Sequence, residues 1–574
     1  MNWLLATVLL PLAGIALIWV FGDSSRGPAR MIALVTSLVT LLMAAGIVKS
    51  YVDHHNAAAV EAAANESIDM SDSFADSGST APVDRGVPSF DRPWIHAYGV
   101  EVRFSLALDG LSVWLFGLSA LLVLTSVLVS WEAIDDRAPT FYALLLLLET
   151  GMLGVFAARD VILFYVFFEF TLIPLFFLIG IWGYEDRRYA AIKFFVFTLA
   201  GSLFTFLGLL AIVLWNFYHA SQGVLDFSFD GVMTALAVDP IPESLQIWIF
   251  LALFAGFAVK VPLFPVHTWL PLAHTQAPTA GSVLLAGILL KVGSYGFVRF
   301  NLAMLPDASI VCMPWLLGLS AAGIVYGALV ALAQSDMKRM IAYSSVSHLG
   351  FCMLGVFSLN RLGVQGGVLQ MINHGLSTGG LFAIIGMMYE RYHTREISDY
   401  GGLARRTPIL AFFMLVFTFS SIGVPGLNGF SGEFLLLSGA FQRGWAEAPA
   451  AWSLAGRVFS VAAVSGVILG AWYMLWLVQR VFFGPLHEPA HEGAHHEVHD
   501  LNFREICALV PLVVFVFWIG LVPQHFLQPM ANSLDPVADK IAAKIDANDA
   551  PENRPLLARE HAGSIVRKEV ARVD

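Results

Sequence analysis

The chain has few charged residues and few cysteines for its length. Of its 574 residues, 13% are charged and 57% are hydrophobic, whereas soluble proteins average about 25% charged residues. This composition excludes an ordinary soluble enzyme and indicates a protein that lies in lipid. The three cysteines, Cys312, Cys352 and Cys507, are far apart in sequence, a pattern that gives neither a metal-ligand spacing nor a disulfide framework.

A surplus of basic residues is also missing. The net charge is −11, and a protein that binds nucleic acid needs a basic face to neutralise phosphates. We therefore expect no nucleic-acid partner, and the lipid bilayer is the first partner that the composition predicts.

What the chain does have is a series of apolar runs of the length that crosses the hydrocarbon core of a membrane, about 20 residues. The runs are continuous and not alternating, which favours helices over the strands of a membrane barrel. We predict an all-α polytopic membrane protein with 14 transmembrane helices, of which the twelfth can also be read as two. The predicted spans are 3–21, 31–50, 110–131, 141–158, 161–182, 190–218, 244–274, 279–302, 310–333, 338–358, 363–390, 409–442, 453–483 and 505–523.

The distribution of Lys and Arg between the loops predicts the orientation, because cytoplasmic loops are enriched in these residues. Loops after odd-numbered spans carry Arg26, Arg30, Arg137, Arg187, Arg188, Lys338, Arg339, Arg391, Arg395, Arg405 and Arg406. Among the short loops, those after even-numbered spans carry only Arg159, Arg299, Arg361, Arg443 and Arg457. The first set should face the cytoplasm, with both termini in the periplasm of a bacterial inner membrane.

Three polar segments should lie outside the membrane. Residues 52–97 are rich in Ala, Ser and Asp and are predicted to be a disordered external insertion. Residues 485–500 contain His487, His491, His495, His496 and His499, which fits either a metal site or a solvated cytoplasmic loop, and we favour the loop. The tail from residue 530 has an amphipathic stretch and is expected either to lie on the membrane surface or to be disordered.

Several ionisable residues fall near the middle of predicted spans, where a charge costs about 3 kcal/mol on insertion scales. Any one of them could be a structural ion pair or hydrogen bond, and this reading is strongest for His374 and Glu149. The whole set lies at similar depth on different helices, which is more than packing requires and predicts a polar line in the membrane plane. The candidates are Glu169, Lys260, Lys291, His348, His374 and Glu433, with Glu149 as a secondary candidate.

Proline and glycine predict helix breaks beside three of these residues. Pro262 and Pro265 follow Lys260, and a run of glycine and proline at 423–429 precedes Glu433. Proline removes a backbone hydrogen bond, and irregular backbone within the membrane must be buried in protein or line a hydrated cavity. Glycines at 375–380 predict a similar irregularity beside His374.

The two strongest breaks are five helices apart, so the two segments cross the membrane in opposite directions. This arrangement is typical of inverted repeats, and we predict two five-helix repeats formed by spans 4–8 and 9–13. Lys260 then corresponds to Glu433, and Glu169 to His348. The predicted regions are 1–51 (two spans), 52–109 (external loop), 110–140 (third span), 141–303 and 304–484 (repeats), 485–504 (His-rich loop), 505–523 (last span) and 524–574 (polar tail).

Five stretches resemble a known family, the antiporter-like subunits of respiratory complex I. They are AVKVPLFPVHTWLPLAHTQAPTAGSVLLAGILLKVGSYGF, FFEFTLIPLFFLIGIWG, QSDMKRMIAYSSVSHLGF, MINHGLSTGG and GVPGLNGFSGEFLLLSGAF, and the match covers most of residues 110–440. The carboxylate Glu433 is similar to that of the M-type branch of the family, whereas other members more often carry Lys there. The 52–97 insertion and the His-rich loop depart from the family pattern.

The resemblance implies a proton-translocating module of a membrane arm, in contact with other antiporter-like subunits, with quinone reduction occurring elsewhere in the complex. It implies no flavin, iron–sulfur cluster or nicotinamide in this chain, and the sequence agrees because it has no glycine-rich phosphate loop and no cysteine cluster. The alternative is a subunit of a cation/proton antiporter or membrane-bound hydrogenase, but a cation site needs oxygen ligands and this line is rich in Lys and His.

The expected mechanism is a switchable pair followed by a relay. Low-dielectric surroundings favour a neutral lysine, and a nearby carboxylate favours the protonated form. Movement of Glu169 away from Lys260 would therefore release a proton, which Lys291 and His348 would pass to Glu433 at the exit. His374 and internal water would fill the gaps, so the loss of His374 should be milder.

Overall fold

The computed structural model describes residues 2–21, 26–66, 89–219, 223–445, 453–489 and 498–549. The helices are α1 (Trp3–Phe21), α2 (Arg26–Glu66), α3 (Val113–Ala133), α4 (Ala138–Ala157), α5 (Val161–Phe170), α6 (Leu172–Trp182), α7 (Arg187–His219), α8 (Phe229–Val238), α9 (Glu243–Lys260), α10 (Leu270–Gln276), α11 (Thr279–Leu284), α12 (Leu290–Gly296), α13 (Pro306–Leu332), α14 (Met337–Phe357), α15 (Arg361–Tyr392), α16 (Pro408–Ser421), α17 (Asn428–Trp445), α18 (Ser453–Phe482), α19 (Phe503–Leu521) and α20 (Gln524–Asp549). The strands are β1 (Phe90–Ala97), β2 (Val100–Leu106) and β3 (Leu225–Asp226).

The all-α membrane fold is confirmed. Within the described ranges, 13 helical segments are long and apolar enough to cross a membrane, and the broken pair α16–α17 supplies the remaining predicted span. The twelfth span is therefore two helices, which the sequence had left open. The most apolar stretches of Thr279–Leu302 and of α15 are entirely buried in the bundle, whereas those of α1 and α2 are less than half buried.

Consecutive spans run in opposite directions, so the loops fall on two faces. Ion pairs join loops that follow odd-numbered spans, including Arg391 with Glu505 (2.7 Å) and Arg395 with Asp336 (3.2 Å). We call this side the basic face. On the opposite face, Arg299 pairs with Asp109 at 2.6 Å. Burial by itself would raise the pKa of Asp109, but Arg299 and Arg159 outweigh it and lower that pKa to about 2.

The predicted disorder of 52–97 is wrong for both ends of that segment. Helix α2 continues to Glu66, since its last part is rich in Ala, the best helix former. β1 pairs antiparallel with β2 around a turn at Tyr98 and Gly99, and β2 pairs parallel with β3. Residues 67–88 lie outside the described residues.

The first part of the polar tail is an amphipathic helix on the opposite face. The buried side of α20 includes Phe526, Met530 and Leu534. Its polar side binds the bundle through Arg361–Asp539 (2.5 Å) and Lys544–Asp307 (2.5 Å). For 524–549 the tail is therefore a docked helix, while 550–574 lie outside the described part of the chain.

Within the His-rich loop, the structure describes His487 and His499, and residues 490–497 fall outside it. The backbone of His487 forms an isolated bridge with Gly401. Arg391 Nε donates to the carbonyl of His499 at 3.0 Å. Both ends of the loop are thus fixed to the basic face.

Candidate functional site

The break in the twelfth span lies between Ser421 at the end of α16 and Asn428 at the start of α17. Gly423 and Gly426 have φ of +70° and +91°, a conformation that side chains other than glycine rarely adopt. A Cβ on Gly423 would lie 2.5 Å from Glu433 Oε2. Glycine is therefore required for the backbone of the break to approach this carboxylate, as the sequence pattern predicted.

Glu433 is 6% exposed and lies between two other helices. Gln370 Nε2 donates to Glu433 Oε1 at 3.2 Å, and His348 Nδ1 lies 3.7 Å from the same oxygen. The other ring nitrogen of His348 is 3.2 Å from Ser421 Oγ. The break, α14 and α15 thus meet at one buried carboxylate.

Lys291 and His374 form the next contact. Lys291 is fully buried, and its Nζ lies 2.6 Å from His374 Nδ1 and also donates to the carbonyl of Ala286. The rings of His374 and His348 have centroids 5.6 Å apart. Lys291, His374, His348 and Glu433 therefore form a continuous line, which we call the relay, across four spans.

The span that carries Lys291 is irregular, which the sequence analysis missed. Leu285–Leu289 and Phe297–Leu302 are π-helical, a conformation that is often found at functional sites. In contrast, the predicted break beside His374 is wrong, because α15 is continuous. Its glycines serve close packing instead: a Cβ on Gly375 would lie 2.7 Å from Leu118 and 2.8 Å from the carbonyl of Gly287.

The first break begins at Lys260, where α9 ends, and α10 starts only at Leu270. Lys260 is 5% exposed, and its Nζ lies 4.8 Å from the centre of the Phe168 ring. Glu169 is close enough for an electrostatic interaction with Lys260. The two side chains, both within the described residues, are not paired within 4.0 Å, and Glu169 Oε1 is buried without a hydrogen-bond partner there.

The two lysines lie on adjoining helices. A Cβ on Gly293 would be 2.7 Å from Val261 and 3.0 Å from the Cβ of Lys260, so the span that carries Lys291 packs directly against the break. Glu149, the secondary candidate, is fully buried and has no partner for either carboxylate oxygen among the described residues. The structure does not join Glu149 to the relay.

A hydrogen-bonded set of amides and hydroxyls escaped the sequence analysis. Asn373 Nδ2 donates to the carbonyl of Asn428 (2.8 Å), and Ser420 Oγ donates to Asn428 Oδ1 (2.5 Å). The first bond connects α15 to the start of α17, and the second connects the two ends of the break. Ser377 Oγ lies 2.8 Å from Ser420 Oγ and connects α15 to the end of α16. The sequence signal for this set is a series of uncharged polar residues at helical spacing inside apolar spans, and the prediction from sequence rested on ionisable residues alone. The set comprises Gln370, Asn373, Ser377, Ser420 and Asn428.

Two further basic residues were also missed. Lys338, assigned to a loop, is 3% exposed and donates to the carbonyl of Ala277 at 2.5 Å. His274 is fully buried and stacks on Phe382, with ring centroids 4.7 Å apart. Both lie on the basic-face side of the relay. Among the residues that the structure describes, no three His, Cys, Asp or Glu side chains are grouped to hold a metal ion.

Residues 158–460 match a family model described as the transmembrane region of NADH:quinone oxidoreductase and Mrp antiporters. This matched region contains the whole relay and both breaks.

The chain is also similar to curated and solved proteins. It is 42% identical over 434 residues to NADH-quinone oxidoreductase subunit M of Rhodobacter capsulatus, covering 75% of this chain and 81% of that one. Subunit M of Pseudomonas aeruginosa is 37% identical over 555 residues, which is 95% of this chain and 98% of the relative. A chain of respiratory complex I from Thermus thermophilus, solved with bound NADH, superimposes with a TM-score of 0.75 at 31% identity, covering 94% of this chain and 99% of that chain.

Proposed function

The chain belongs to the NADH:quinone oxidoreductase/Mrp antiporter family, and on that premise we propose that protons cross it through Lys260 and the relay. It is a membrane-arm subunit of a proton-translocating NADH:quinone oxidoreductase, similar to subunit M, and lies among other antiporter-like subunits. The redox chemistry belongs to other subunits. What this chain contributes is a set of buried groups that can each take up and release a proton.

The observation that carries the proposal is the continuity of the relay. Lys291 and His374 are 2.6 Å apart, and His348 and Glu433 are 3.7 Å apart. The two histidine rings have centroids 5.6 Å apart and no direct hydrogen bond to each other, so a bridging water would complete this step. Histidine is suited to such a chain, because one ring nitrogen can accept a proton while the other donates.

Glu169 and Lys260 act before the relay as a switchable pair. A carboxylate that approaches Lys260 favours its protonated form, and one that retreats favours the neutral amine in low-dielectric surroundings. The open arrangement, with Lys260 over Phe168 and one unpartnered oxygen on Glu169, supports a pair that is not locked. Release from Lys260 would pass a proton to Lys291 on the adjoining helix, and Glu433 would be the exit.

For the orientation, we place the basic face in the cytoplasm and both termini in the periplasm of a bacterial inner membrane. The excess of Lys and Arg on the basic face supports this sidedness. Labelling of single cysteines at exposed positions is the test: a cysteine in place of Arg188 should react only from the cytoplasm, and one in place of Asp539 only from the periplasm. The reverse pattern would invert the direction assigned to the relay.

The proton path is tested by comparing Lys260→Arg with Lys260→Ala in membranes that contain equal amounts of assembled complex. Arg keeps the positive charge but does not release its proton, so both variants should lose most proton pumping and the quinone reduction coupled to it. Glu169→Gln should do the same, because a neutral amide cannot modulate the lysine. Full pumping by Lys260→Arg would show that Lys260 is a fixed structural charge.

A further inference from the structure

A cavity of about 480 Å³ opens on the basic face, beside the end of α18 and away from the relay. Its walls include Tyr400, Trp476, Gln479, Arg480, Phe483 and His487. None of these residues takes part in the proposed proton path, so a function of this cavity would be separate from proton transfer.

The cavity has a fixed backbone frame. The N–H of Gly401 donates to the carbonyl of His487 at 2.9 Å, and the N–H of His487 donates back to Gly401 at 2.8 Å. The N–H of Gly402 donates to the carbonyl of Phe483 at 3.3 Å. These bonds hold the segment after α18 against the turn at 400–402.

Among the described residues, the positive charge at the cavity has no acidic partner. The guanidinium of Arg480 lies 4.9 Å from the centre of the Trp476 ring, and no carboxylate in the described ranges lies within 4.0 Å of it. The nearest acidic neighbour in sequence, Glu488, is turned toward other groups: it accepts from Tyr392 at 3.0 Å and lies 3.8 Å from Arg406. Arg480 therefore presents free donors to the cavity.

Below the cavity, α18 presents an apolar stripe to the surroundings. Val461, Ile468 and Trp472 are 57%, 67% and 58% exposed, and their spacing of seven and four residues places them on one helix face. Gln479 lies seven residues beyond Trp472 on the same face, and Arg480 follows it at the wall of the cavity. A positively charged pocket at the end of an exposed apolar stripe is complementary to an amphiphile that has an anionic head and apolar chains.

We propose that this cavity binds the phosphate headgroup of an anionic phospholipid, whose acyl chains lie along the stripe of α18. Arg480 provides charge-assisted hydrogen bonds to the phosphate, and the Gln479 amide and the His487 ring are further donors. Basic pockets at the cytoplasmic ends of transmembrane helices are the ordinary setting for such headgroups. The site is independent of the proton path, and its loss leaves the relay intact.

The test uses the purified complex, exchanged into nanodiscs of phosphatidylcholine containing a small fraction of phosphatidylglycerol. Arg480→Ala should weaken retention of phosphatidylglycerol about fivefold, as measured by native mass spectrometry, since one cation near the surface contributes about that factor. Arg480→Lys should retain most of it. Arg188→Ala is the matched control, because it removes an exposed arginine from the same face and should leave retention unchanged.

A second arm separates the possible sources of phosphate. Millimolar inorganic phosphate should not displace phosphatidylglycerol from the parent complex, because the acyl chains contribute to binding. Displacement by inorganic phosphate would show a simple anion site and overturn the proposal. Equal retention by Arg480→Ala and the parent would overturn it too, as would cross-linking of a cysteine at Trp472 to a neighbouring subunit, which would show that protein covers the stripe.

Discussion

The two broken spans differ in the contacts that their buried ionisable residues make. At the second break, Glu433 accepts a hydrogen bond from Gln370 and lies beside His348, and hydrogen bonds of Asn373 and Ser377 join both ends of the break to α15. At the first break, Lys260 faces an aromatic ring, and Glu169 keeps one buried oxygen unpartnered. Several hydrogen bonds thus hold the second break, although Asn373 Oδ1 has no partner among the described residues, whereas Lys260 and Glu169 have no direct bond to each other, and an unpaired buried polar group is costly. Under the proposed function, the second break conducts protons and the first one switches.

The largest effect should come from Lys291, which connects the two regions. Lys291→Met removes the group in contact with His374 and leaves the Ala286 carbonyl buried without its donor. We expect proton pumping to fall about a hundredfold, in the range of a lost acid–base group, with the complex still assembled. Pumping in inverted vesicles, normalised to assembled complex, is the measurement.

Lys193→Met is the control, because Lys193 lies off the relay above Phe197. Equal losses in both variants would contradict the assignment.

The next effect tests the link inside the conducting region. Although the sequence predicted only a mild loss for His374, its contact of 2.6 Å with Lys291 leads us to expect about a tenfold loss of pumping in His374→Leu. This is smaller than the loss of about a hundredfold or more for a removed acid–base group, because Lys291 and His348 remain. Leucine fills the space but excludes the water that could stand in for the ring. His525→Leu, which removes an imidazole stacked on Trp518, should pump normally. Full activity of His374→Leu would show a proton route that bypasses α15.

A smaller effect should follow from loosening one partner of His348. Ser421→Ala removes the hydroxyl that lies 3.2 Å from His348 Nε2, and a hydrogen bond contributes about 1 kcal/mol net. We expect pumping to fall by less than about fivefold, with a shift in its pH profile because His348 loses a neighbour. Ser320→Ala, which removes a hydroxyl bonded to the Leu316 carbonyl, should leave the pH profile unmoved. An unshifted profile in Ser421→Ala would argue against proton transfer at His348.

The smallest effect on pumping is expected at the opposite face, where Asp109 clamps the end of the span that carries Lys291. The arginines lower the pKa of Asp109 to about 2 from 3.8, so its stabilisation is present above pH 4 and is lost as the pH falls toward 2. Asp109→Asn should destabilise the protein by about 2 kcal/mol at neutral pH, while pumping changes little.

Thermal unfolding in detergent at several pH values is the measurement for this variant. The difference from the parent should shrink as the pH is lowered below 4. Asp230→Asn is the matched control, because Asp230 pairs with Arg159 at 2.8 Å but is 61% exposed, and exposed ion pairs contribute little. A pH-independent deficit in Asp109→Asn would indicate a packing defect and not lost charge pairing.

Prediction from sequence succeeded where local composition decides the structure. The spans and the breaks at 261–269 and 422–427 are confirmed, because apolar length and proline or glycine act on the chain locally. Prediction from sequence failed where glycine serves helix packing and does not break the helix. The glycines near 375 allow close contact with Gly287 and leave α15 continuous. The Ala-rich end of α2 was wrongly predicted to be disordered because the segment is polar, although its helix propensity is high.

The candidate site was predicted in part. All six main candidates lie in the helical spans predicted for them, and four of them form the relay. Glu169 and Lys260 are neighbours without a direct ion pair, and the inverted repeats and the roles of the six residues stay predictions. The amides that support Glu433 were missed because uncharged polar residues carry a much weaker signal in a membrane span than charged ones do.

The sequence by itself determined that this protein lies in the membrane and which segments of the chain form its spans. Hydrophobic length and the rise of 1.5 Å per residue act along one helix and need no neighbour. Only the tertiary structure decided which of these groups touch. Lys291 and His374 are 83 residues apart in sequence, and their contact depends on how each helix is rotated about its axis and which helices pack beside it. Hydropathy leaves both undetermined, because a buried span is apolar on every side.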